Sequence, residues 1–330
     1  MQSDAGGSAT ITATSHSPVC RSSRVPDFIL HHYEISPFAA KIRAMLGYCE
    51  LPWLSARTTP MPPRPLVDTL AGGYRRIPVA QIGADIFCDS RVICEEIAAL
   101  AGRPELSPQS LDGTQRAFVD RAEMGVFFSL VGAATGWPLV RKVVADVGPL
   151  GLLRLLRDRK GMREGMSPDA RPPQDGTTVV QAYLDDLEVR LTSPFLNGEQ
   201  PGLIDFSAWH GLWFAIEVGG KSLLPAHPQT RDWFQRLAHL HSTKWRDISA
   251  DSCIAAARDS EPRALPDSSD SDALLGQPVS IAPSDYGLAA VRGTLVASLP
   301  QRFILRRETA EAGVVHVHFP RARFSLEVAG

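Results

Sequence analysis

The period of the apolar residues changes twice along the chain, and each change narrows the folds open to it. Residues 27–100 mix short extended runs with helical ones. From about residue 108 to 250 the spacing is helical. Beyond about 276 it falls to two. A chain patterned this way must hold an α/β unit, a helical unit and a β unit. Its 330 residues are enough for two or three domains at roughly 100–200 residues each.

The first apolar run, Asp27-Phe-Ile-Leu-His-His-Tyr33, reads as a strand. Ser36-Pro37 then pairs a good N-cap with a residue suited to the first helical position. Phe38, Ile42, Met45 and Leu46 recur on one face of the helix that follows, which stops near Gly47. The proline-laden stretch 52–65 reads as a loop. Ile77–Ile82 and Asp85–Cys88, turned at Gly83, read as a hairpin. Asp89-Ser90 opens a helix reaching about Leu100. The order is β-α-loop-β-β-α.

Helices are expected at 114–135, 139–158, 178–191, 203–218 and 228–240. A stretch rich in Asp, Ser and Pro, 257–276, has the composition of a linker. Five short strands follow, beginning at Val279, Gly293, Phe303, Val314 and Phe324. They suggest a small barrel or curled sheet. The expected divisions are a disordered tail at 1–25, an α/β domain at 26–102, an all-helical domain at 103–255, a linker at 256–274 and a β module at 275–330.

Composition excludes several classes of function. With 34 basic and 36 acidic residues the net charge is −2, so no overall field draws the chain to nucleic acid or an anionic membrane. Five cysteines (Cys20, Cys49, Cys88, Cys94 and Cys253) without CxxC spacing argue against a zinc ribbon or a disulfide framework. They fit reduced thiols in the cytoplasm. Cys88 and Cys94 read as buried small hydrophobes. His316 and His318 share a strand face, and a solvent-facing pair is the simplest reading; no metal site is expected. No apolar run approaches the roughly 20 residues of a membrane span.

Three segments resemble the glutathione transferases. Phe28–Arg43, with its Ser-Pro-Phe, is similar to the first strand and helix of the tau class. Tyr74-Arg-Arg-Ile-Pro-Val79, followed by Ile86-Phe-Cys-Asp-Ser90, resembles the family's cis-proline and helix-opening acid-Ser pair. Phe195-Leu-Asn-Gly with Gly202-Leu-Ile-Asp-Phe-Ser207 resembles the helical domain's capping motif and buried Asp. Together they span about residues 27–245. The resemblance implies a thioredoxin-like N-terminal domain and an all-helical C-terminal domain. It also implies glutathione as co-substrate with no bound cofactor, a small electrophile as second substrate, and a homodimer. The β module lies outside this architecture.

The resemblance implies a role for each matched residue. Ser36 activates the thiol, since a helix N-terminus and a hydroxyl donor both lower a thiol's pKa from its usual ~8.5. His32, at the position of the tyrosine in tyrosine-using classes, is a second choice. Ile77 and Pro78 pair with the cysteinyl backbone as an added strand would. Asp89 and Ser90 hold the γ-glutamyl end, a carboxylate being at home at a helix N-terminus. Arg75 reaches the glycyl carboxylate, with Arg76 competing for that role, and Asp205 is structural. Met124, Phe127 and Phe128 are candidates to line the electrophile pocket. On the residues alone, plainer readings stay open: Ser36 and Asp89 as simple caps, His32 and Tyr33 as structural residues, the arginines as solvated surface. A non-catalytic scaffold whose β module docks a partner is the alternative function.

Overall fold

Phe28–His32 (β1) is buried along its whole length, as a central strand covered on both faces must be. The computed structural model describes residues 27–240, 245–265 and 272–329, apart from the side chain of residue 169. The expected tail at 1–25 lies outside the described residues. Side chains of β1 alternate between two cores. Phe28 and Leu30 join the core under α1 (Pro37–Tyr48) and α3 (Ser90–Ala101). Ile29 packs on the opposite face with Ala56 and Cys253.

β1 pairs in parallel with β2 (Trp53–Arg57) and antiparallel with β3 (Val79–Ile82), which turns into β4 (Asp85–Cys88). β2 lies inside the stretch expected to be a loop. It has only five residues, and of the prolines that suggested a loop Pro52 lies immediately before it while Pro60, Pro62, Pro63 and Pro65 follow it. Pro65 then takes the first position of α2 (Pro65–Ala71), the place where its missing N–H costs nothing.

The helical region follows the expected pattern, with local departures. α4 (Gly113–Arg121) passes through a π-helical turn at Ala122–Val126 into α5 (Phe127–Ala133), and the path then bends by 95° into α6 (Trp137–Glu164). α6 is itself kinked at Gly148, whose φ of 74° is open to glycine, ahead of Pro149. α7 (Gly176–Arg190), α8 (Leu203–Trp213) and α9 (Pro228–Ala238) complete the bundle. α8 is buried on every side, with Trp209 wholly enclosed. α6 is the opposite, with Val143 its one fully buried residue. No single helix among the described residues is long and apolar enough to cross a membrane.

Two elements interrupt the stretches expected to be helix and linker. Trp245–Asp247 (β5) adds in parallel to β2. Ala250–Arg258 (α10) is capped by Ser249 and lays Cys253 and Ala257 into cores on the α2 face of the sheet. The five C-terminal strands form at their expected places: β6 (Pro278–Pro283), β7 (Val291–Ser298), β8 (Arg302–Thr309), β9 (Gly313–Pro320) and β10 (Phe324–Val328). They do not close into a barrel. β9 pairs in parallel with β4, so all ten strands make one sheet in the order β10-β6-β7-β8-β9-β4-β3-β1-β2-β5. A parallel pair needs a long crossover between its strands, and the helical region and α10 lie between these two.

The seam corrects the reading of His318. It faces inward, 4% exposed, where its Nε2 meets the Asp85 carboxylate at 2.8 Å and its ring stacks on Phe87. A buried imidazole needs such partners, and the alternation that aligned it with His316 does not reveal on which side of the strand the core lies.

Candidate functional site

The sequence-predicted residues divide into a group that shares one cleft and a group that does not. Ile77, Pro78, Asp89 and Ser90 line the same cleft, with Phe38, Tyr74, Arg76, Arg91, Glu123 and Met124 around them and Asp285 and Tyr286 from the turn between β6 and β7. The bond between Ile77 and Pro78 is cis. Asp89 is the N-cap of α3, its side chain accepting from Arg91 N at 3.0 Å. Its φ of 91° is an uncommon conformation for a residue with a Cβ. Such outliers concentrate at functional positions.

Ser36 caps α1, its hydroxyl oxygen accepting from Ala39 N at 3.3 Å, which leaves the hydroxyl proton free to be donated. It is 1% exposed and is not among the cleft-lining residues; Phe38, two residues on, is. His32 lies away from the cleft. Its Nε2 meets Ser55 Oγ at 3.0 Å and its Nδ1 meets Arg43 Nη1 at 3.1 Å. Burial, then the Arg43 and Arg57 charges, push its pKa down to about 3, so the ring is neutral at pH 7. Arg75 points to α6, where it pairs with Asp158 at 2.6 Å, while Arg76 lines the cleft.

Behind the cleft lies a buried charge network. Glu123, in the π-helical turn, accepts from Lys41 Nζ at 2.6 Å and lies 3.6 Å from Arg91 Nη2. Burial alone raises a carboxyl pKa, but Lys41 and Arg91 outweigh it and hold Glu123 at about 2. Arg91 also reaches Asp89 at 3.6 Å, which links the network to the cleft wall. The Tyr74 hydroxyl is buried without a hydrogen-bond partner among the described residues. Burial, then the nearby Asp89 charge, raise its pKa well above the usual value, so it remains a donor.

Of the expected electrophile-pocket residues, Met124 lines the cleft. Phe128 meets Tyr286 edge-on at 5.5 Å, and Phe127 stacks on His210 at 5.5 Å. Asp205 is fully buried and accepts from Leu196 N, Asn197 N, Gly202 N and Trp233 Nε1 at 2.7–3.2 Å. The bond from Gly202 N is one half of a capping box. The other half has no side chain to make it. Cys88 and Cys94 are buried thiols whose pKa burial raises. Sequence reasoning gave no signal for Asp285 and Tyr286, which reach the cleft from the far end of the chain.

A thioredoxin-like sheet with a helical domain against its α1–α3 face, and a cleft where the two meet, defines the class. Residues 30–105 match the family model described as glutathione S-transferase, N-terminal domain. A solved GST-like protein from Pseudomonas syringae is 31% identical with a TM-score of 0.73. The match covers 92% of this chain and 100% of that one, a share too large to leave out the C-terminal strands. The tau class glutathione S-transferase from mango, Mangifera indica, is 17% identical over 66% of this chain and 94% of its own, with a TM-score of 0.43. A glutathione S-transferase from Rhodospirillum rubrum is 22% identical over 64% and 87%, with a TM-score of 0.41. No protein with a curated description matches the chain. The chain belongs to the glutathione S-transferase family.

Proposed function

We propose that this protein binds glutathione in the cleft and activates its thiol for attack on a small hydrophobic electrophile. One observation carries the reading: Ile77, Pro78, Asp89 and Ser90, from two separate segments, line a single cleft. In this reading residues 26–102 supply the glutathione side and 103–255 the electrophile side. The α3 N-terminus and Ser90 receive the γ-glutamyl carboxylate, Asp89 faces its amine, and the backbone at Ile77 meets the cysteinyl unit. Ser36, with its proton unused, donates to the sulfur at the positive end of α1. Arg76 is better placed than Arg75 for a ligand carboxylate. The protein is read as a cytoplasmic homodimer with a detoxifying role.

Calorimetric titration with glutathione, on the wild type and on Ser36→Ala and Asp89→Ala, tests the site. Binding that Asp89→Ala abolishes and Ser36→Ala retains supports it, provided Ser36→Ala also loses conjugation of an activated aryl halide. An unchanged conjugation rate in Ser36→Ala removes Ser36 from the chemistry.

A second reading, a non-catalytic member of the family, is favoured by how little open space the cleft holds, about 30 Å³. The C-terminal strands give no support to a separate docking module, since they belong to the central sheet.

A further inference from the structure

The turn at 284–290, between β6 and β7, leaves the sheet and enters the cleft. Asp285 is 6% exposed, and its carboxylate accepts from Arg76 Nη2. Arg76 Nε donates to the Tyr286 carbonyl at 3.1 Å, and the guanidinium lies 3.9 Å from the centre of the Tyr286 ring. From the helical side, Ser167 N donates to the Asp285 carbonyl at 2.8 Å, and Tyr286 packs with Phe128, Met124 and Met166. Gly287 has a φ of +60°, which lets the chain reverse directly over Arg75 and Arg76.

The remaining space, about 30 Å³, holds a water or two, far short of a tripeptide. Yet the groups around it are those a carboxylate seeks. Arg76 offers a planar fork of donors, the α3 N-terminus lies beside it, and the buried Tyr74 hydroxyl has no partner among the described residues. Ser284 N at the root of the turn donates to the Arg323 carbonyl at 2.9 Å, next to the last β6–β10 pair, whereas residues 285–290 make no strand pairing and Leu288 at the far side is exposed. The turn can therefore swing out beyond Ser284 with the strand pairs intact.

We propose that the Asp285–Tyr286 turn is a resident occupant of the ligand cleft: Asp285 holds Arg76 in the place of a ligand carboxylate, and a carboxylate-bearing ligand binds by displacing it. This rests on the glutathione reading. It makes Asp285 and Tyr286 specificity-determining residues, because a ligand without a carboxylate has nothing to exchange for Asp285.

The test is calorimetric titration of the full chain with glutathione, comparing wild type with Asp285→Asn, Tyr286→Ala and Arg76→Gln. Apparent affinity falls by the fraction of molecules whose cleft is open. A turn seated in nine molecules of ten therefore predicts about tenfold tighter binding in Asp285→Asn and Tyr286→Ala, and a loss in Arg76→Gln. In the wild type, hydrogen exchange at the amides of 284–290 should rise on saturation with glutathione, a readout that does not depend on any variant folding. If the wild type binds glutathione, the two turn variants bind no tighter and the exchange is unmoved, displacement is overturned while the glutathione reading stands. No binding to any of the four at millimolar glutathione overturns the glutathione reading, and the displacement with it.

Discussion

The His318 imidazole, on β9, donates through Nε2 to the Asp85 carboxylate, on β4, at 2.8 Å, across the seam that joins the C-terminal strands to the rest of the sheet. Burial lowers the His318 pKa more than Asp85 raises it, so the ring is neutral. Its other nitrogen then accepts from Arg302 Nη1 at 3.4 Å. Asp85 stays ionised although burial opposes it, held by the bonds from His318 and from Arg263 N. A hydrogen bond to a charged group contributes about 1.5–3 kcal/mol. Asp85→Asn should therefore lower the unfolding free energy in urea by about that much. His318→Gln combined with Asp85→Asn should cost less than the sum of the two single changes. Strict additivity would mean that the pair does not hold the seam.

Acid should destabilise the protein well before its carboxylates protonate. Burial is the first cause in each of three histidines, bringing His31 to about 4, His32 to about 3 and His210 to about 4. Unfolded, each takes a proton near 6.5. As pH falls through 6.5 the unfolded chain gains protons that the native state refuses, and stability drops until the native rings titrate near pH 4. With all three protonated only in the unfolded state, the slope approaches about 4 kcal/mol per pH unit. Glu123 adds its own loss only below its ordinary 4.5, on the way to about 2. Unfolding free energies from urea titrations between pH 7.5 and 5 should decline, and His31→Gln should take up to about 1.4 kcal/mol per pH unit off the slope. A flat profile over that range would show these rings to be protonated or exposed.

What the sequence discloses is what lies close along it. Phe28–His32, the hairpin at Val79–Cys88 and the caps at Ser36 and Asp89 are local patterns, and the chain folds them as read. Trp53–Arg57 was hidden because a five-residue strand buried on both faces has no long alternation to show, and prolines stand on both sides of it. α10 was hidden because just two of its side chains, Cys253 and Ala257, are fully buried, too few to set an apolar face apart from the alanines around them. The candidate site is half legible for the same reason. Ile77-Pro78 and Asp89-Ser90 carry their own signatures, whereas Asp285 reaches Arg76 across 209 residues and His318 reaches Asp85 across 233. Nothing in either local segment announces its partner.

Asp205 stabilises the helical domain, and its loss should not be confused with loss of the site. It sits wholly buried and satisfies three backbone donors and the Trp233 indole. Leaving several buried donors unpaired costs about 1–3 kcal/mol each, so Asp205→Ala should lower stability by at least about 3 kcal/mol. Asp205→Asn keeps the shape but offers one acceptor oxygen in place of two, and it should fall between. Glutathione affinity, measured where the variant is still folded, should match the wild type. An Asp205→Asn protein as stable as the wild type would place the capping energy elsewhere.

The proposed dimer needs apolar surface, and α6 offers it. Leu150, Leu153 and Leu156 are 76%, 54% and 58% exposed on its second half, and Trp137 is 74% exposed at its start. The β4 edge is not free for the purpose, because β9 pairs with it inside the same chain. Burying a leucine stabilises by about 1.5–3 kcal/mol, and a charge forced into that contact without a partner costs more than the leucine gives. Leu153→Glu should thus convert a dimeric wild type into a monomer by light scattering, while the monomer, whose residue 153 is half solvated, keeps its unfolding free energy to within about 0.5 kcal/mol. A Leu153→Glu protein that stays dimeric would put the interface away from α6. A wild type already monomeric at high concentration would leave the leucine face unpaired in solution and remove the dimer from the proposed reading.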